Sequence, residues 1–481
     1  MTEILLPDSA DPTIAFSISF RAGSQDDPLG KEGLAALTGS MLAEAATLSH
    51  SYDGILEALY PLAASYDLTV DKEQSTLTGR VHRERLSDYL PLIISAFTEP
   101  AFKTEDLDRL RADAVNYVSN TLRYSSDEEL AKAVLWSTVF NGSRFAHLTE
   151  GTVAGLENIG NADIRDFYAA HYTQGNVTLG LTGAFDDSVT DALRGAIASL
   201  PPGQTAEPPI VTAAPQTAHR LVLVEKAGAD ASISLGFPID AHRGEKDFYA
   251  LWIANSWLGE HRNSASHLFQ VIRERRGLNY GDYSYIECFP DGGSLQMPPA
   301  NVARRQQLFE IWVRTVPVDR AAFALKAALR EFDKLVEHGM DAASFDLTRR
   351  FLKKYSAHFA PAPAERLGYA VDDHFYAFSD PSLPDEGHLK RFQRMMDELT
   401  LADVNAAIDR HWRSQFFTIA IVSGDSGRLA SELNSGQATP ITYESEMPET
   451  LLMEDVEIAA FDADIRSSNT QTVSVDSVFS A

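Results

Sequence analysis

Residues 30–42 read Gly30-Lys31-Glu32-Gly33-Leu34-Ala35-Ala36-Leu37-Thr38-Gly39-Ser40-Met41-Leu42. From Leu34 onward the stretch carries no charge and is mostly apolar. The preceding segment, 13–21, alternates between apolar and polar residues, which predicts a strand with one buried face, and a turn follows over 22–30. Residues 34–42 therefore predict the start of a buried helix that directly follows a strand and a turn.

The composition limits the classes of protein that this chain can be. At 481 residues it is too long for one ordinary core, so we expect two or more domains. The formal charge of -27 argues against nucleic acids and anionic membrane surfaces as partners. It is compatible with a basic peptide substrate, but the needs of solubility explain it equally well. The single cysteine, Cys288, excludes an internal disulfide framework and a thiolate metal cluster.

The sequence gives little information about the compartment. It contains no run of about 18 apolar residues, so we expect no membrane span. Residues 1–7 lack the basic and apolar regions of a signal peptide, yet they begin almost inside a strand. Two explanations stay open: a cytoplasmic protein, or one from which a leader has been removed.

A proline-rich linker divides the chain into two halves of similar size. Four prolines fall within residues 201–209, and such a segment continues neither a helix nor a central strand. We expect a first domain over 1–200, a linker over 201–218 and a second domain over 219–440. Residues 441–481 are polar and acidic, and we expect an extended or partly disordered tail.

The two halves resemble each other, which predicts an internal duplication. A helix ends in His171-Tyr172 in the first half and in His411-Trp412 in the second. An apolar strand that ends in glycine follows each helix, at 177–183 and at 418–424. Similar strands also lie near the start of each half, at 17–20 and at 232–235. Alternating strands between helices fit a sheet with one buried face. We therefore expect an α+β fold of two homologous domains, each a mostly antiparallel sheet packed with helices.

In this setting the helix at 34–42 resembles the zinc helix of the M16 (pitrilysin/insulinase-like) metallopeptidases, which carries the motif His-x-x-Glu-His. Laid on this sequence, the motif falls on Ala36, Gly39 and Ser40. The third ligand of the family, a glutamate about 75 residues downstream, falls near Asn116. Alanine and glycine offer no ligand or base, so the resemblance implies that this chain binds no metal and that zinc belongs to a partner subunit.

Other residues could in principle carry a metal or a nucleophile. His261 and His267 are six residues apart, a spacing that does not put both on one helix face, and we interpret them as surface histidines of a loop. Ser264 and Ser266 beside them could suggest nucleophilic catalysis, although such loop residues are common. We interpret His147 as structural.

The strongest match to the M16 family lies in the second half, at residues 266–280. In active members an arginine and a tyrosine seven residues apart reach across from the second domain, bind the substrate backbone and stabilise the oxyanion. Arg273 and Tyr280 have that spacing. An arginine fork and a phenol suit this role, although a solvated surface arginine and a structural tyrosine would give the same pattern.

The resemblance also implies a binding mode and an assembly. In M16 peptidases an edge strand of the first domain takes up the peptide by main-chain pairing, and the alternating segments 64–70 and 75–81 are candidates for this region. Two homologous domains would form half of a clam shell, and two chains would form the full chamber.

The implied function is that of a non-catalytic subunit. The chain would not be a self-sufficient peptidase, but would contribute Arg273, Tyr280 and half of a peptide chamber to a heterodimeric zinc metalloendopeptidase. The partner would be a homologous M16 subunit carrying His-x-x-Glu-His. The alternative is a homodimeric pseudo-peptidase that binds peptides or acts as a scaffold. Bacterial M16 proteins of this type make the periplasm our first expectation, with the cytoplasm as the alternative.

Overall fold

The computed structural model describes residues 1–204, 213, 216–290, 292, 295–377 and 386–481. Most of the predicted linker, 205–212 with 214 and 215, lies outside the described residues. The fold is α+β, as predicted, and consists of two mixed sheets packed with helices. None of the helices in the described part of the chain is both long enough and apolar enough to cross a membrane.

The first sheet has five strands in the order β1-β5-β2-β4-β3. β1 runs parallel to β5, and the other neighbours are antiparallel. The strands are β1 (Thr2–Pro7), β2 (Thr13–Phe20), β3 (Ser65–Val70), β4 (Ser75–His82) and β5 (Val177–Gly183). The helices of this half are α1 (Leu34–Ala43), α2 (Tyr52–Leu59), α3 (Leu86–Thr98), α4 (Thr104–Asn116), α5 (Asp127–Val139), α6 (Val153–Glu157), α7 (Asn161–His171) and α8 (Asp187–Ala198).

The second sheet has six strands in the order β11-β6-β10-β7-β9-β8. Its strands are β6 (Arg220–Glu225), β7 (Ala231–Ile239), β8 (Asp282–Tyr285), β9 (Gln307–Val316), β10 (Thr418–Ser423) and β11 (Thr470–Ser474). The helices are α9 (Lys246–Gly259), α10 (Val318–His338), α11 (Ala342–Tyr355), α12 (Pro363–Tyr376), α13 (His388–Glu398), α14 (Leu401–His411), α15 (Ser426–Asn434) and α16 (Glu449–Ala460). Two π-helical segments, Tyr117–Ser125 and Phe269–Glu274, complete the longer elements.

The shared strand order confirms the predicted duplication. β1, β5, β2, β4 and β3 correspond in order to β6, β10, β7, β9 and β8, and the second sheet has β11 in addition. The helices α7 and α14, whose sequences resemble each other, precede the corresponding central strands β5 and β10.

Each sheet is covered on one face by a helix from the other half. α5 of the first half packs against β7 and β10, whereas α12 of the second half packs against β2 and β5. For this reason β2 is buried at every residue from Ile14 to Phe20, on both faces. The prediction of one buried face was wrong here, because the covering helix comes from more than 300 positions away, and its contact leaves no local signal.

Charged groups also join the halves. Arg304 before β9 donates from Nε to Asp71 Oδ2 at 2.7 Å, and its guanidinium lies over the ring of Trp136 on α5. The side chains of Arg304 and Asp71 are only 8% and 10% exposed. Arg314 on β9 donates to Glu128 on α5 at 3.0 Å. The two halves therefore form one packed unit.

Residues 441–481 differ from the expected extended or partly disordered tail. They form α16 and β11, and β11 pairs in parallel with β6. Leu451 and Ile458 bury an apolar face of α16, which overrides the polar average of the segment. Beyond β11, the carbonyl of Val478 accepts a hydrogen bond from Arg123 Nε at 2.8 Å.

Candidate functional site

The N-terminus of the helix α1 is capped by the side chain of Asp27. Asp27 accepts hydrogen bonds from the backbone N–H groups of Gly33 and Ala35, each at 2.7 Å. His147 Nε2 lies 3.1 Å from the same carboxylate, which agrees with the structural role predicted for it. Gly33 has a φ of +107°, a conformation that glycine adopts at little cost. The position and direction of α1 are therefore fixed by groups outside the helix.

Ala36 and Ser40 are half-buried on α1, and Gly39 between them is buried. A Cβ atom on Gly39 would lie 2.6 Å from Val70 Cγ2 and 2.7 Å from Leu68 Cδ2, both on β3. These distances are well below an ordinary contact, so glycine permits the close approach of α1 to β3. A glutamate at this position would meet the same two methyl groups.

Asn116 is the last residue of α4, the helix that packs on α1. Its side chain is exposed, and its Oδ1 accepts a hydrogen bond from Asn120 Nδ2 at 2.7 Å. The following residues, Tyr117–Ser125, turn as a π-helix. Asn116 therefore lies on a helix next to α1, with an amide where the resemblance puts a ligand.

The residues on α1 do not fit a zinc ion. A methyl group and a glycine supply no ligand atom, and a serine hydroxyl is not among the usual zinc ligands. Within the described residues, no three side chains of histidine, cysteine, aspartate or glutamate are grouped so that they could hold a metal.

His261 and His267 are not the surface histidines that we expected. His261 is 6% exposed, because its Nδ1 lies 2.8 Å from the hydroxyl of Tyr285 and its ring is enclosed by aromatic side chains. Burial lowers the pKa of His261 to about 4. His267 stacks on Trp257 with its Nε2 2.6 Å from Glu331. Each histidine is engaged in its own structural contact.

The predicted substrate-binding residues lie at the surface of the second half. Tyr280 is 79% exposed, which is unusual for so large an aromatic residue. The side chain of Arg273 is 40% exposed, donates to Glu274 at 2.9 Å and lies over the ring of Phe269. Both side chains are accessible to a ligand, and their role in binding it stays a prediction.

The strand β3 is the last strand of the first sheet among the described residues. One row of its backbone N–H and C=O groups therefore faces away from β4, as β-strand addition requires. The turn that joins β3 to β4, residues 71–74, is buried and is held by the second half, where the N–H of Arg305 donates to Glu73 at 2.6 Å. A cavity of about 310 Å³ adjoins this turn and includes Val70, Lys72 and Arg304 in its wall.

Sequence reasoning missed the contact of Gly39 with β3 and the attachment of the β3–β4 turn to the second half. The run of charged and polar residues Asp71-Lys72-Glu73-Gln74 looks like an exposed turn, whereas all four are buried. The one signal in the sequence was that only four residues, 71–74, separate the two alternating strand segments, which indicates a tight turn.

Comparison with known proteins identifies the family. The family model described as Insulinase (Peptidase family M16) matches residues 3–152, and the one described as Peptidase M16 inactive domain matches residues 158–352. Together the two matches cover most of the chain, which therefore belongs to the M16 peptidase family.

The curated relatives that match this chain are named as zinc proteases. An uncharacterized zinc protease of Streptomyces coelicolor is 24% identical over 333 residues, which are 68% of this chain and 68% of that protein. The uncharacterized zinc protease YmxG of Bacillus subtilis is 22% identical over 301 residues, 62% of this chain and 71% of that protein.

Solved structures share the fold. A peptidase M16 inactive domain from Pseudomonas fluorescens aligns with a TM-score of 0.74 and 22% identity over 87% of this chain and 95% of that one. A protease from Helicobacter pylori aligns with a TM-score of 0.74 and 16% identity over 88% of this chain and 96% of that one.

Proposed function

We propose that this chain is the non-catalytic subunit of a heterodimeric M16 zinc metalloendopeptidase. It would supply half of the peptide chamber, the edge of β3 and the pair Arg273 and Tyr280. A homologous subunit carrying His-x-x-Glu-His would supply the zinc and the general base. In this proposal Ala36, Gly39, Ser40 and Asn116 are the lost positions of the metal site.

The contact of Gly39 with β3 is the observation that carries the proposal. The helix α1, which resembles a zinc helix, has a cap from Asp27 and packs on α4, while Gly39, to which the resemblance assigns the base, is packed against Leu68 and Val70. A base there would need both side chains to move. Membership of the M16 family together with this packing supports a subunit that has kept the chamber and left the chemistry to a partner.

The exposure of Arg273 and Tyr280 supports the second part of the proposal. A guanidinium fork can bind carbonyl oxygens of a peptide, and a phenol can donate to a developing oxyanion. Both groups act on a reacting carbonyl without themselves needing a metal. They would therefore serve a site whose zinc is held by another chain.

The test uses the purified chain and a homologous M16 chain with His-x-x-Glu-His from the same genome. We expect peptidase activity on a fluorogenic peptide only when the two are mixed. Arg273→Ala should lower kcat by about 10²–10³-fold, the usual cost of losing one oxyanion donor. The control is Arg350→Ala on the exposed face of α11, which should leave kcat unchanged.

Two results would contradict the proposal. One is full activity of the mixture with Arg273→Ala, and the other is hydrolysis by this chain alone with bound zinc. Peptide binding without hydrolysis in any mixture, unaffected by EDTA in calorimetry, would instead support the homodimeric pseudo-peptidase. The periplasm as compartment stays a prediction that rests on the family resemblance.

A further inference from the structure

The backbone between Arg273 and Tyr280 is held from the inside. The N–H of Gly277, which has a φ of +62°, donates to the carbonyl of Arg273 at 2.7 Å. Leu278 is 3% exposed and belongs to the core of the second half. Asn279 Nδ2 donates to Asp282 Oδ1 at 2.7 Å. Arg273 and Tyr280 thus project from a segment that is anchored in the protein by the buried residues Arg276 and Leu278.

The innermost anchor of this segment is Arg276, whose side chain is completely buried. Its Nε donates to Asp455 Oδ1 at 2.7 Å, and its Nη2 donates to Glu454 Oε2 at 2.8 Å. Its Nη1 donates to the carbonyl of Val271 at 2.7 Å, in the last turn of the π-helical segment Phe269–Glu274, which also contains Arg273. The guanidinium therefore ties this turn directly to two carboxylates on α16.

The two carboxylates are themselves fixed. The hydroxyl of Tyr443 donates to Asp455 Oδ2 at 2.8 Å, so both oxygens of Asp455 are bonded. Burial acts to raise the pKa of Glu454, but the hydrogen bond from Arg276 and the charge of Arg275 outweigh it and lower the pKa. Glu454 is therefore ionised when the protein is folded, and it binds both arginines, with Arg275 at 3.0 Å.

The helix α16 is in turn locked to the body of the second half. Ile458 and Ala459 are buried in its core. Lys326 on α10 donates to the carbonyl of Ala459 at 3.0 Å, and a lysine near a helix C-terminus is favourably placed for the helix dipole. A rigid helix thus carries the two carboxylates.

We infer that α16 is a clamp that fixes the geometry of Arg273 and Tyr280, with Glu454 and Asp455 as its positioning residues. The inference rests on the proposed function, since it takes Arg273 and Tyr280 to contact the peptide. Two side chains separated by a tight turn can bind one peptide together only if that turn is held still. The residues of α16 lie beyond residue 352, where the match to the family model ends.

The experiment compares the full chain with the double variant Glu454→Gln/Asp455→Asn. Both changes keep the size of the side chains and remove the two negative charges that bind Arg276. The matched control is Glu457→Gln on the same helix, whose side chain is 65% exposed and pairs with Arg330 instead. The single variant Asp455→Asn keeps one carboxylate and an acceptor for Tyr443, and it replaces the double variant if that one fails to fold.

Two measurements are made on each variant. Hydrogen–deuterium exchange reports the amides of residues 272–281, with β9 as a check that the fold is intact. Binding of fluorescein-labelled casein peptides reports the function of the pair, with Arg273→Ala as reference. We expect exchange at 272–281 to become about tenfold faster and peptide Kd to rise about tenfold in the double variant, since bonds between charged groups are being lost. The control should change neither.

Unchanged exchange in the double variant would overturn the inference. So would faster exchange with unchanged peptide binding, if Arg273→Ala does weaken binding. If Arg273→Ala leaves peptide binding unchanged, the proposed role of Arg273 fails instead, whatever the exchange data say about α16. The two failures are therefore distinguishable.

Discussion

Replacing Gly39 by alanine should destabilise the protein, although alanine is the better helix former. Gly39 lies inside α1, where alanine is favoured over glycine by about 1 kcal/mol. The added Cβ would lie 2.6 Å from Val70 Cγ2 and 2.7 Å from Leu68 Cδ2. Leu68 is buried and valine has a stiff side chain, so neither methyl group moves away freely.

The two effects can be compared in magnitude. Forcing an extra methyl group into a packed contact costs about 1–3 kcal/mol, which equals or exceeds the gain in helix propensity. We therefore expect Gly39→Ala to lower the free energy of unfolding by up to about 2 kcal/mol.

Gly195 on α8 provides the matched control, because a Cβ there would meet nothing within 4 Å. Gly195→Ala should raise the free energy of unfolding by about 1 kcal/mol through helix propensity alone. Urea denaturation of both variants followed by circular dichroism measures the difference. Equal stabilisation by the two changes would refute the tight contact between α1 and β3, and with it the argument that a base at position 39 would need Leu68 and Val70 to move.

Three further predictions concern buried charges, and urea denaturation checks each of them. Arg304→Met should lower the free energy of unfolding by about 3–5 kcal/mol, because Asp71 is left buried without its partner; a loss below about 1 kcal/mol would mean that the pair does not join the halves. Burial acts to raise the pKa of Glu331, but the hydrogen bond from His267 outweighs it and lowers the pKa to about 2, below the ordinary 4.5. This stabilisation is complete above pH 4.5 and is lost as the pH falls towards 2, so Glu331→Gln should flatten the acid dependence of stability, and an unchanged curve would contradict the assignment. Burial raises the pKa of Glu260 to about 7, so the stability that its bound proton confers below pH 4.5 is lost as the pH rises through 7. Glu260→Gln should therefore gain stability relative to the natural chain between about pH 5 and about pH 8, whereas a constant difference would show that Glu260 does not titrate there.

The sequence predicted the parts of the fold that leave a local pattern. The two halves have similar residue types in the same order along the chain. The similarity is visible in the strands at 17–20 and 232–235 and in the helices that end at His171 and His411. These elements occupy equivalent places in the two sheets.

The parts that escaped prediction depend on contacts between distant residues. No sequence pattern near Ile14 predicts that α12 covers the second face of β2. No pattern near Gly39 predicts its close contact with Leu68. Such contacts are set by how the halves pack, and no periodicity within 10 or 20 residues encodes them.

The helix α16 could have been found, because a local signal was present. Leu451, Asp455, Ile458 and Ala459 repeat with helical spacing, and Pro448 stands just before the first turn. The polar average of 441–481 hid this pattern. Asp455 is the only charged residue in this set, and it is buried because it binds the buried guanidinium of Arg276.

Residues 478–480 make hydrogen bonds to the first half of the chain. Val153 and Ala154, at the start of α6, donate their N–H groups to the carbonyls of Phe479 and Ser480 at 3.1 and 3.0 Å. Arg123 bonds to a carbonyl 355 positions further along. These acceptors are synthesised more than 300 residues after the donors that they bind. The half that is made first therefore cannot complete these contacts until residues 478–480 have been made.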